Sequence, residues 1–219
     1  MKIKTIVTNG IQILLLWAAL LVSLSSIAKE VEPPFLEGVD YQIIIKSGSQ
    51  ELAQLSQLET ISNIEVFYWY GCEPCYQVEA ALSEYLRLNP EISLRRTPLV
   101  LRTNWRPQAY IQPLMSQFSQ LSELPTFLDI YQQCLTDCNP LKDFDSILNW
   151  FLQKMPEQTL PLINKGLIWQ TEKNYKKRAE LFSISQVPTI IINETYKVDA
   201  NQAKTAKRLV ATIDFLITK

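Results

Sequence analysis

The sequence predicts an α/β protein, a mixed sheet interrupted by an all-helical insertion. Three observations predict it. An apolar run from Ile64 to Tyr70 gives way to a helical pattern and then to a second strand-like run at residues 92–101. That β-α-β order implies a parallel pair joined by a right-handed crossover. Residues 102–183 then carry only helical patterning, far more than the dozen or so residues a crossover needs. Strand patterning returns at residues 187–193 and 196–198, and an amphipathic helix follows.

Each element has a local reason. Residues 41–46 read as a first strand after an extended segment holding Pro33 and Pro34; residues 51–60 are loosely helical or loop. Residues 64–70 are apolar at nearly every position, as a central strand covered on both faces requires. Val78, Ala81, Leu82, Tyr85 and Leu86 share one helical stripe, which Asn89 and Pro90 stop. In the insertion, helices are expected at 112–124, 126–135, 144–154 and 160–181, punctuated by Pro107, Pro113, Pro125, Pro140, Pro156 and Pro161. Asn193, Glu194 and Thr195 make a hairpin turn; they also match an N-x-T acceptor pattern, but the turn is the preferred reading. Ala203, Ala206, Leu209, Val210, Ile213, Leu216 and Ile217 mark the last helix.

The first residues read as a targeting segment. Lys2 and Lys4 precede an apolar run at 11–24, and Ser26 and Ala28 supply the small residues of a cleavage site. The run is short for a membrane span, which needs roughly 17–25 residues. A cleaved signal peptide over residues 1–28 is therefore expected, with an uncleaved anchor facing the same compartment as the alternative. Export places the cysteines where a disulfide persists. The formal net charge is −1, so nothing suggests a nucleic-acid partner. The chain has no histidine, which excludes Ser-His-Asp and Cys-His chemistry and any imidazole metal ligand.

Cys72 and Cys75 form a C-x-x-C pair where a strand gives way to a helix. A thiol at a helix N-terminus feels the positive end of the dipole, so its thiolate is stabilised. Such a thiolate attacks or leaves a disulfide, and the second thiol resolves the mixed species. An inert disulfide and half of a zinc site are the competing readings; a zinc site needs all four cysteines of the chain, Cys134 and Cys138 included. Those two form a C-x-x-x-C pair at a helix end and are expected to make a small structural disulfide. Trp69, Tyr70, Trp105 and Tyr110 are candidate rim residues, each also readable as core.

The segment Phe67, Tyr68, Trp69, Tyr70, Gly71, Cys72, Glu73, Pro74, Cys75, Tyr76, Gln77, Val78 and Glu79 resembles the active-site segment of DsbA-type thiol:disulfide oxidoreductases. Phe35, Leu36, Glu37, Gly38, Val39, Asp40 and Tyr41 resemble the lead-in to that family's first strand, and Val187-Pro188 its cis-proline loop. The resemblance implies a thioredoxin-like fold formed by residues 29–101 and 184–219, with an inserted helical domain at 102–183. It implies Cys72 as nucleophile, Cys75 as resolving thiol and Pro188 as a cis-proline beside the sulfurs. Val187 would then offer its backbone to an extended substrate. Glu79 matches a family glutamate placed to influence proton transfer at Cys75, with a solvated helix residue as the alternative. The fold usually has an acid six residues before the first cysteine; here Val66 stands there and Glu65 lies one further back, aimed at the other face unless a bulge intervenes. The resemblance also implies no cofactor beyond the disulfide and no metal. It implies a periplasmic monomer acting on reduced exported polypeptides, reoxidised by a membrane quinone-linked partner of the DsbB kind.

Glu73 and Pro74 depart from the Pro-His pair typical of the family. Glu73 sets a negative charge beside a sulfur that must become negative, and Pro74 lacks an N–H that could cap it. Both features predict a less oxidising disulfide. The leading expectation is a dithiol oxidase. Disulfide reduction or isomerisation is the alternative within the same chemistry; a thiolate metal carrier or a peptide-binding chaperone lies outside it.

Overall fold

The computed structural model describes residues 34–44, 63–121, 124–155 and 163–219. The expected signal peptide and the loose helix or loop at 51–60 lie outside the described residues. Phe35–Lys219 forms one compact unit.

Among the described residues, five strands make one mixed sheet in the order β1-β5-β4-β2-β3. They are β1 (Gln42–Ile43), β2 (Ile64–Tyr68), β3 (Leu94–Pro98), β4 (Thr189–Ile192) and β5 (Tyr196–Asp199). β2 pairs parallel with β3 and antiparallel with β4, and its register on both neighbours runs without a bulge. All five β2 residues are buried, which explains the unbroken apolar run. The expected strands at 64–70 and 92–101 are thus found with shorter bounds; of the one expected at 41–46, Gln42–Ile43 is strand and residues 45–46 lie outside the described residues. The hairpin turn joins β4 to β5, with Asn193 and Glu194 at φ +48° and +51°. Two consecutive positive φ values make the type I′ geometry that matches strand twist.

Seven helices are described: α1 (Glu73–Leu88), α2 (Arg106–Ala109), α3 (Ile111–Gln117), α4 (Phe127–Thr136), α5 (Phe144–Lys154), α6 (Lys165–Leu181) and α7 (Ala206–Ile217). Everything regular described between β3 and β4 is helical, including short 3-10 turns at Thr103–Trp105 and Asn139–Leu141. The caps explain the boundaries. Thr126 and Asp129 form a reciprocal capping box at α4, and Asp143, Asn164 and Thr205 cap α5, α6 and α7. The sequence reading begins the last inserted helix at residue 160; the Asn164 cap places its start at Lys165.

The sheet separates two apolar clusters with the period of two that strands impose. Ile64, Val66, Tyr68, Ile190 and Ile192 join the larger cluster with Cys75, α1 and α7. Phe67 and Ile191 pack with Leu99, Ala179, Phe182 and Ile184 on the other side.

Candidate active site

The reactive motif is built by a strand end and a helix start. β2 stops at Tyr68, the chain turns, and the Cys72 N–H donates to the Trp69 carbonyl at 3.2 Å. Cys72 is the N-cap of α1, in extended backbone geometry, and is joined to Cys75 by a disulfide. The two sulfurs differ in access: Cys72 is half-buried, while Cys75 is 1% exposed. Only the first can meet an incoming thiolate.

The Cys72 sulfur accepts a hydrogen bond from the Cys75 backbone N–H at 3.2 Å. This corrects part of the tuning argument. Pro74 removes one N–H, but the donor one position later fills the capping role, so a thiolate at Cys72 keeps a backbone partner. Glu73 is exposed and its carboxylate accepts from Gln77 at 3.4 Å.

The peptide bond between Val187 and Pro188 is cis. Pro188 and Pro74 line one groove of about 240 Å³, which brings the proline loop against the start of α1. The loop is pinned from β5: Gln186 donates to Asp199 at 2.6 Å, and the Pro188 carbonyl accepts from Ala200 N–H at 3.3 Å. Asn201 reaches the Val187 carbonyl at 3.4 Å, so one lone pair of that carbonyl is already engaged.

Glu79 is buried rather than solvated, which overturns the exposed-helix alternative. It accepts a bidentate pair from Arg96 on β3, at 2.7 and 3.0 Å, and a bond from Ser83 at 3.1 Å. Burial works against the Arg96 charge, but the bonds to Glu79 outweigh it and raise the guanidinium pKa. Arg96 also stacks over Phe127 of α4 at 4.3 Å, tying sheet, α1 and insertion together. Tyr68, Tyr70 and Tyr131 pack beside this pair in the cluster that holds Cys75, and the Tyr68 hydroxyl donates to that of Tyr70 at 3.1 Å. Burial, first of all, holds all three hydroxyls protonated well above the ordinary tyrosine range.

Glu65 faces the other way. Without a bulge, its side chain lies on the α6 side, where it accepts from Thr97 at 2.6 Å and from Arg178 at 2.8 Å. Val66 takes the sulfur-side position, opposite Arg96 in the strand register. The buried carboxylate on the Cys75 side of the sheet is Glu79 of α1, paired with Arg96.

Of the four candidate rim aromatics, Tyr70 is fully buried and is core. Tyr110 is half-buried and meets Phe144 edge-on at 6.4 Å. Trp69 and Trp105 are half-buried and stack at 4.2 Å with rings 6° from parallel; Trp69 also donates to Gln108 at 3.3 Å. The Trp69 ring lies where a Cβ on Gly71 would be. Gly71→Ala should therefore displace Trp69 from Trp105, cost about 1–3 kcal/mol in stability and alter the near-ultraviolet circular dichroism. An unchanged spectrum would contradict this packing.

Cys134 on α4 is bonded to Cys138 just after the helix. A loop this short constrains the unfolded chain little. Sequence reasoning missed Arg96, Arg178 and the Trp69–Trp105 stack. Adjacent arginines within a strand, Arg95 and Arg96, were an available signal, because charges there need buried partners.

The geometry defines a thioredoxin-like protein with a disulfide at the first turn of α1 and a cis-proline loop beside it. No protein-family model matches the chain. It is similar to the thiol:disulfide interchange protein DsbA of Pseudomonas syringae pv. tomato, 26% identical over 186 residues covering 80% of this chain and 84% of the relative. The solved DsbA of Pseudomonas aeruginosa superposes with a TM-score of 0.61 at 17% identity, over 84% of this chain and 93% of that one. A DsbA structure from Proteus mirabilis gives 0.65 at 14% identity, over 85% and 100%. These relatives and fold neighbours are DsbA proteins, in agreement with the resemblance seen in the motif residues.

Proposed function

We propose that this protein is a thiol:disulfide oxidoreductase that passes the Cys72–Cys75 disulfide to cysteine pairs of polypeptides. The observation that carries the reading is the unequal pair: one half-exposed sulfur capped by a backbone N–H, one buried sulfur behind it. A substrate thiolate attacks the Cys72 sulfur, the disulfide breaks, and Cys75 leaves as a thiolate that takes up a proton. A second substrate thiolate then attacks the substrate sulfur of the mixed disulfide, and Cys72 leaves as a thiolate held by the Cys75 N–H. The substrate loses two electrons and two protons; the protein pair gains both electrons, Cys75 takes one proton, and the other goes to solvent while Cys72 stays a thiolate.

Pro188 and Val187 would align the incoming chain. The groove shared by Pro74 and Pro188 supports this role, as does the cysteine-bearing peptide PWATCDS bound by the Proteus mirabilis neighbour. Cys134–Cys138 would be structural. Export to the periplasm, residues 1–28 as the signal, and reoxidation by a DsbB-like membrane partner belong to the same proposal, resting on the DsbA relatives. The test is direct. Cys72 and Cys75 trapped from cells should be mostly oxidised; a mostly reduced pair would indicate a reductase or isomerase.

Glu73 tunes the first sulfur. At about 4–5 Å in a water-like dielectric a like charge opposes the thiolate by about 1 kcal/mol or less. Glu73→Gln should therefore lower the Cys72 thiol pKa by about half a unit, read by pH-dependent alkylation of the reduced protein. An unchanged pKa or a rise would refute the charge argument.

A further inference from the structure

The groove beside the disulfide carries one charge. Apolar Pro74, Val78, Pro188, Ala200 and Leu209 share its lining with polar residues such as Gln77 and Asn201, and Lys204 is the sole charged lining residue among the described residues. Among those residues no carboxylate pairs with Lys204. Its backbone sits at φ +60°, a left-handed conformation that costs a lysine about 1 kcal/mol and that glycine or asparagine would take more readily. On the α1 wall, the lining residue Gln77 donates to the Glu73 carboxylate at 3.4 Å, so a negative charge stands next to that wall without lining the groove. Further along α1 and α7, a second trough over Ala81, Tyr85 and Val210 carries both signs, Glu84 and Asp214 with Lys207, so the unmixed positive charge belongs to the groove at Pro188.

Resting on the thiol-exchange reading above, we propose that Lys204 determines which polypeptides dock: cysteine segments that place a carboxylate near the cysteine, against the α7 side of the groove. An opposite charge on this side attracts such a segment and a lysine there repels it. The Glu73 carboxylate held by Gln77 gives the preference a direction, because a substrate carboxylate turned toward α1 approaches a like charge.

Single-cysteine peptides carrying Glu, Gln or Lys at one of the three positions on either side of the cysteine test this. The rate of mixed-disulfide formation is measured with the full oxidised chain and with Lys204→Glu. For at least one position the Glu-to-Lys rate ratio should fall roughly three- to tenfold on the charge reversal, with Lys204→Gln between, and the difference should collapse at high salt. Comparing ratios within each protein cancels intrinsic peptide reactivity and any general loss of activity. Ratios equal in both proteins at every position would overturn the proposal. Failure of all peptides, the Gln set included, to react with the unaltered chain would instead overturn the thiol-exchange reading.

Discussion

Replacing Cys72 by serine should abolish disulfide transfer, while replacing Cys75 by serine should leave a protein that captures substrates as stable mixed disulfides. The asymmetry follows from access. An incoming thiolate reaches the half-buried Cys72 sulfur, whereas Cys75 is enclosed by the core cluster around Tyr68 and Tyr70. Loss of Cys72 removes the atom that is attacked. Loss of Cys75 leaves that atom but removes the group that resolves the adduct. Refolding of a reduced two-cysteine polypeptide, followed on non-reducing gels and by intact mass, measures both outcomes. Full activity in Cys72→Ser would mean that the protein acts as a peptide-binding chaperone. Stoichiometric binding of copper or zinc by the reduced pair, without disulfide transfer, would point to metal carriage.

Replacing Arg178 by methionine should destabilise the fold by about 3–5 kcal/mol, because it leaves the Glu65 carboxylate buried without its cation. Glu65 and Arg178 are 3% and 4% exposed. Burial opposes the Arg178 charge, and the Glu65 bonds overcome it, raising the guanidinium pKa. For a chain of this size the loss amounts to about 6–20 °C in melting temperature. Adding Glu65→Gln to Arg178→Met removes the stranded charge but keeps an acceptor for Thr97, so the double variant should melt above the single one. Calorimetry on the three proteins decides it. A double variant no more stable than Arg178→Met would show that the ion pair is not what the core depends on. The pair also joins β2 to α6, which makes it a strut between the sheet and the insertion.

Much of this protein was readable from local pattern. The apolar run at β2, the stripe of α1, the turn at Asn193 and the terminal helix each follow from periodicity and turn chemistry within a few residues of each other. The C-x-x-C placement, together with Val187-Pro188, was enough to nominate the site. Boundaries were less legible. Residues 41–46 patterned as a strand of which Gln42–Ile43 pair in the described sheet, because pairing depends on a partner, β5, that lies far along the chain.

Charge placement lay beyond local reading. Glu65 and Glu79 look alike in sequence, yet one pairs with Arg178 over a separation of 113 residues and the other with Arg96 over 17. Periodicity assigns a strand or helix residue to a face; it does not say what the opposing element brings there. The missing N–H of Pro74 likewise looked like a lost cap until the turn put the Cys75 N–H on the sulfur. Chain-local sterics and hydrophobic spacing set the elements and the reactive pair, since both act over a few bonds. Partner identity, burial and the single lysine at the groove arise when distant segments meet, and their energies exist only in that packed arrangement.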